Sequence, residues 1–127
     1  MEHCPVRVVG IGFRGAATMA SLQDALQKAL AVVGGTAPDA LATEAAKSRE
    51  TAFRELAQLL AIPGLGVSQT DLGQMITPTQ SQRIQDRFGT GSLAEAAALA
   101  VAGPAARLVA ARVISGDGMA TAAIAES

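Results

Sequence analysis

Apolar positions along the chain switch between two periods. Val6 to Ile11 is an apolar run rich in β-branched residues that closes on Gly12, the pattern of a buried strand. Leu22, Ala25, Leu26, Ala29, Leu30 and Val33 then recur at helical spacing, with Gln23, Gln27 and Lys28 on the polar side. Ser21 and Asp24 make an S-x-x-D capping signal, with Thr18 as the alternative start one turn earlier, and Gly34-Gly35 ends the helix.

The next segments repeat this alternation more faintly. Ala40 to Ala46 fits a strand but is mostly alanine, a weak strand former. Ser48 to Ala61 carries Phe53, Leu56, Ala57 and Leu60 on one stripe and predicts a helix stopped by Ile62-Pro63. A short strand over Leu65–Ser68 and a helical turn from Thr70 follow, then a loop at Thr77-Pro78-Thr79 and a helix over Gln80–Phe88. Ser92-Leu93-Ala94-Glu95 opens an alanine-rich helix that ends at Gly103-Pro104. Leu108–Ile114 and Met119–Ala125 flank Ser115-Gly116-Asp117-Gly118, two strands joined by a tight hairpin.

The predicted order β-α-β-α-β-α-α-β-β describes one domain over residues 1–127. Alternation in the first half requires right-handed crossovers, hence a mainly parallel sheet with helices on both faces. The C-terminal hairpin completes that sheet and makes it mixed. The expected fold is a three-layer α/β/α sandwich.

Composition removes several classes of function. Half the residues are hydrophobic and 17% are charged, enough apolar material for one core. There is no Trp or Tyr and only three Phe, and the net charge is −1, so stacking platforms and a basic stripe for nucleic acid are both lacking. Cys4 is the single cysteine and His3 the single histidine, so neither a disulfide, a hydrolytic triad nor a metal cluster is expected. No apolar run approaches the about eighteen residues of a membrane span, and the start does not read as a signal peptide. A cytoplasmic protein is the expectation.

The candidate chemistry is sparse. Gly10-Ile11-Gly12-Phe13-Arg14-Gly15 matches G-x-G-x-x-G between a strand and a helix, but no acidic residue stands about twenty positions on, as a dinucleotide site requires. What survives is a turn at the carboxyl end of a strand, where ligands of open α/β sheets bind and where Arg14 could hold an anion. Lys47 and Glu50, three apart, are expected at the same sheet edge. They read either as a base with a cationic partner, and so as the candidate catalytic pair, or as an exposed ion pair. Ser81, Ser92 and Glu95 read first as helix caps.

These stretches occur in a familiar order. Val9-Gly10-Ile11-Gly12 with Arg14-Gly15, Lys47-x-x-Glu50, Pro78-x-x-Ser81, Gly91 to Leu99 and Ala120 to Ala125 resemble the CobE/CbiG C-terminal domain family of cobalamin biosynthesis proteins, over about residues 6 to 125. Phe13 stands where relatives often carry a cysteine, and Ala45-Ala46 replaces an acidic-aliphatic pair. The resemblance implies a protein that binds or carries a corrinoid or precorrin intermediate. The implied ligand-binding residues are Gly10, Gly12, Arg14, Gly15, Lys47, Glu50, Ser81 and Glu95, with no resident cofactor and any cobalt arriving inside the corrin. Two alternatives accompany it: a hydrolase that opens a precorrin lactone, and an adaptor for pathway enzymes. A homodimer is compatible with the apolar, alanine-rich helices.

Overall fold

The structure is a computed structural model, and it describes residues 6–34, 37–75 and 92–127. β1 (Arg7–Phe13) is the middle strand of a five-stranded sheet ordered β3-β2-β1-β5-β4, with β2 at Ala40–Glu44, β3 at Gly64–Val67, β4 at Arg107–Ile114 and β5 at Ala120–Glu126. β1–β2 and β2–β3 pair in parallel; β1–β5 and β5–β4 pair antiparallel. Four strands therefore run one way and only β5 runs back. The sheet is open and mixed, and the expected three-layer architecture is observed.

Helices cover both faces. α1 (Met19–Val33) and α2 (Thr51–Leu60) share one core with β1 and β2, built from Val9, Ile11, Leu22, Leu26, Leu41, Phe53 and Leu56. Both crossovers thus lie on the same side, as right-handed connections between neighbouring parallel strands demand. α3 (Gln69–Gly73) and α4 (Leu93–Ala102) cover the other face, where Val8, Ala42, Val67, Leu72, Leu93 and Ala96 pack together.

α4 lies unusually close to β1. A Cβ built on Gly10 would stand 1.9 Å from the carbonyl oxygen of Ala94 and 2.8 Å from the amide nitrogen of Ala98. The helix backbone therefore occupies the space a side chain would need. The alanine run of α4 serves this contact, since small side chains let the helix settle onto the strand.

Several boundaries differ from the sequence reading. Thr18, not Ser21, caps α1: its hydroxyl accepts from Ser21 N–H and Ser21 Oγ accepts from Thr18 N–H, both at 3.3 Å. Ser21 is instead the third residue of the box, which frees Asp24 for another contact. The helix expected from Ser48 begins at Thr51, after a 3-10 turn over Lys47–Arg49, with Glu50 as its extended N-cap. The strand of alanines is real. All five residues of β2 are buried between β1 and β3, so burial outweighs their weak propensity. The helix expected over Gln80–Phe88 and the loop before it lie outside the described residues.

Candidate functional site

Strand direction gathers the candidate residues at one rim. β1, β2, β3 and β4 end there, and α1, α2 and α4 begin there, so three helix N-termini present their positive dipole ends to the same side. The placement of α4 follows from its contacts. Its first residue, Leu93, lies against Gly12 near the end of β1, while Ala98 lies back against Gly10.

Arg14 follows β1 directly. Its amide donates to the Met119 carbonyl at 2.9 Å, which ties this turn to the hairpin, and its side chain is exposed without an ion-pair partner among the described residues. Lys47 follows β2. Its ammonium stands over the Phe13 ring, 5.1 Å from the centroid, and Phe13 stacks on Phe53 with centroids 6.4 Å apart and planes 8° from parallel. Glu50 is exposed at the N-cap of α2, and its amide closes the 3-10 turn on the Lys47 carbonyl at 3.0 Å. Arg14, Lys47 and Glu50 thus share the rim. Of the two readings of Lys47 and Glu50, the ion pair does not form, and the lysine uses an aromatic face instead.

The remaining candidates divide. Gly10 and Gly12 are not loop residues; they are buried in β1, where they admit α4 and the Thr121 hydroxyl. Gly15 is the loop glycine, exposed, with open space where a Cβ would stand. Glu95 is fully buried, and one of its carboxylate oxygens accepts the Arg112 amide of β4 at 2.9 Å. That amide lies where the β4–β5 register shifts, so the carboxylate satisfies a donor that the irregular ladder releases. Ser92 accepts from Glu95 N–H at 3.3 Å, as its capping signal predicts. Ser81 lies outside the described residues.

Two contributors escaped the sequence reading. Glu44 is buried at the end of β2 and its carboxylate accepts the Lys47 amide at 3.2 Å, fixing the turn that presents the lysine. Its signal was a charged residue at the carboxyl end of an otherwise apolar strand. Phe13 carries the lysine, a role that neither its position inside the glycine motif nor its departure from the family pattern indicated. At the opposite rim the charges are committed to structure: Arg7 pairs with Glu126 at 3.5 Å, and the Arg7 amide donates to Asp39 at 2.8 Å.

An open depression of about 310 Å³ lies on the flank of α2 between Ser48, Phe53, Arg54, Gln58, Ile62 and Gly64, and so reaches the turn that carries Lys47. Its lining contains none of Arg14, Lys47 or Glu50, so these three side chains stand on a surface rather than inside this cavity. Among the described residues no group of three or more His, Cys, Asp or Glu side chains could hold a metal ion, and no helix is long and apolar enough to cross a membrane.

An open mixed-sheet α/β protein with Arg14, Lys47 and Glu50 at one rim of its strand ends is the class this geometry defines. The family model described as cobalamin synthesis G C-terminus matches residues 7–125. The chain belongs to that family and is a protein of cobalamin biosynthesis. It is similar to CobE, described as a protein from the cobalamin (vitamin B12) biosynthetic pathway, with 28% identity and a TM-score of 0.86, over 100% of this chain and 97% of that one. It is also similar to cobalamin biosynthesis protein chiG from Agrobacterium tumefaciens str. C58, with 38% identity and a TM-score of 0.72, over 94% and 97% of the two chains. A cobalamin biosynthesis protein G homolog from Sulfolobus solfataricus shares the fold, at 16% identity and a TM-score of 0.71, with 95% of this chain covering 36% of that one. No curated protein matches the sequence.

Proposed function

We propose that this protein binds and carries a corrinoid or precorrin intermediate at the rim formed by the strand ends. The observation that supports this reading is the position of Arg14 and Lys47 on adjacent turns, beside the N-termini of α1, α2 and α4. Corrin intermediates carry several acetate and propionate groups around a flat apolar ring. Guanidinium, ammonium and helix N-termini suit the carboxylates. Family membership supplies the ligand class; the rim supplies the chemistry that would recognise it.

Carrying is favoured over hydrolysis by the disposition of the candidate pair. Lys47 rests on Phe13 and Glu50 faces solvent, with no bond joining them into an acid–base couple, which supports reading them as binding groups. The adaptor role and a cytoplasmic location are compatible with this reading, and so is a homodimer.

Visible-absorption titration with hydrogenobyrinic acid tests the proposal. The protein has no Trp or Tyr, so bands above the aromatic region belong to the ligand alone. A saturable spectral shift is expected with the wild-type protein, weakened by R14A and by K47A. A spectrum that stays additive across the titration, or a shift that both variants reproduce in full, rejects the rim as the binding surface.

A further inference from the structure

The hairpin between β4 and β5 carries Asp117-Gly118, the single Asp-Gly pair in a sequence that contains no asparagine. Such a pair is prone to a specific reaction. The glycine amide nitrogen attacks the side-chain carbonyl carbon of the preceding aspartate, a C–N bond forms, and the carboxyl oxygen leaves as water. Hydrolysis of the resulting succinimide returns that water at either carbonyl, giving aspartate or isoaspartate with no net change in mass. Glycine permits the ring closure because no Cβ obstructs the backbone. Asp117 and Gly118 are both exposed, so access is not what limits the reaction.

Hydrogen bonding limits it instead. Asp117 Oδ1 accepts from Ser115 Oγ at 2.5 Å and from the Met119 amide at 3.0 Å, while Oδ2 accepts from Ser21 Oγ of α1 at 2.6 Å. The attacking nitrogen is also occupied, since Gly118 N–H donates to the Ser115 carbonyl at 3.0 Å. Asp24 and Lys28 are the charged groups facing the hairpin from α1. Asp24 accepts the Gly116 amide at 2.7 Å and pairs with Lys28 at 3.2 Å. Donation first from Ser115, then from Ser21 and Met119, holds the Asp117 carboxyl down at about 2. The ionised carboxylate is a poor electrophile; the neutral acid is the reactive form.

We propose that Asp117-Gly118 is an isoaspartate modification site that the clasp between the hairpin and α1 keeps silent in the folded chain. Parting the hairpin from α1 releases the Ser21 bond to the carboxylate, and opening of the turn itself then frees the rest of the carboxyl and the Gly118 nitrogen. Isomerisation then adds a backbone carbon to the turn and moves the carboxylate away from Ser21, so the open form cannot close again. This inference is independent of the ligand proposed for the rim.

The test is the rate of isoaspartate formation in the full chain at mildly acidic pH, native and in concentrated urea. It is read by transfer of methyl groups from isoaspartyl methyltransferase and located by electron-transfer fragmentation. The native protein is expected to react at least about tenfold more slowly than the unfolded chain, because hydrogen bonds hold both the Asp117 carboxylate and the attacking Gly118 N–H. Removing one donor in S21A should raise the native rate about threefold or more, while S21T, which keeps the hydroxyl, should react like the wild type. S115A provides a second donor deletion, and circular dichroism establishes that each variant is folded. Equal native and unfolded rates for the wild type, or folded donor deletions as slow as the wild type, would overturn the proposal.

Discussion

The Lys47 ammonium stands 5.1 Å from the centre of the Phe13 ring, and this pair joins the ends of two neighbouring parallel strands. Phe13 ends β1 and Lys47 follows β2, so the contact fixes a positive charge where both strands open to solvent. A half-exposed cation over a ring contributes about 0.5–1 kcal/mol. K47M is therefore expected to lower stability by no more than about 1 kcal/mol while weakening corrinoid affinity about tenfold. Urea unfolding and spectral titration measured on the same preparation separate the two effects.

The glycines of the G-x-G-x-x-G stretch should respond very differently to the same substitution. G10A drives a methyl group into the Ala94 carbonyl, and moving α4 off β1 should cost about 3 kcal/mol. G15A meets nothing within 4 Å and should change stability by less than about 0.5 kcal/mol. Equal midpoints in thermal unfolding of these two variants would contradict the packing described for β1 and α4.

Glu95 is held inside the molecule by its contact with β4. E95A leaves the Arg112 amide without this acceptor and should destabilise the fold by about 2 kcal/mol. E95Q keeps an acceptor at the same place and should recover part of that loss. Urea midpoints for the two variants decide the point; a fully stable E95A would show that the amide is satisfied otherwise.

Acid should loosen the hairpin in a defined window. The Asp117 carboxyl has an ordinary value of 3.8 in the unfolded chain and about 2 in the fold, so the unfolded chain binds the proton first. Its contribution is complete well above 3.8, shrinks as pH falls from there toward about 2, and is gone below that. Asp24 shifts in the same direction, chiefly through the Gly116 amide and then through Lys28, and adds to the loss. D117N should be less stable than the wild type at neutral pH, with the difference narrowing across this window. A gap between the two urea midpoints that stays constant from neutral pH to below the window would contradict the clasp.

Much of the fold was legible because some segments meet one strong local requirement. The β-branched run before Gly12 has few alternatives to a buried strand, and Ser115-Gly116-Asp117-Gly118 can hardly be other than a turn. β2 was faint because nothing in Ala40–Glu44 favours a strand locally; its neighbours on both sides make it one. The start of α2 was misread for a related reason. Lys47 to Arg49 has helical composition, but the Glu44 carboxylate holds the Lys47 amide and the chain tightens into a 3-10 turn.

The site was legible in part. Strand order places Arg14 and Lys47 at one rim by topology alone, which the alternation of elements anticipates. The partner of each side chain was not readable in this way. Asp24 meets Gly116 at a separation of 92 positions, and Glu95 meets Arg112 where the register of β4 shifts. Gly10 and Gly12 matched a phosphate-binding pattern, yet the space beside them is filled by α4 and Thr121. A motif records residue types, whereas the packing decides which atoms they face.

Co-elution on gel filtration tests the central claim most directly. Wild-type protein incubated with hydrogenobyrinic acid should emerge coloured, at near-equal amounts of protein and corrin, and the R14A/K47A double variant should emerge nearly colourless while still folded. Colourless wild-type protein, or a double variant that retains the pigment, would contradict the account.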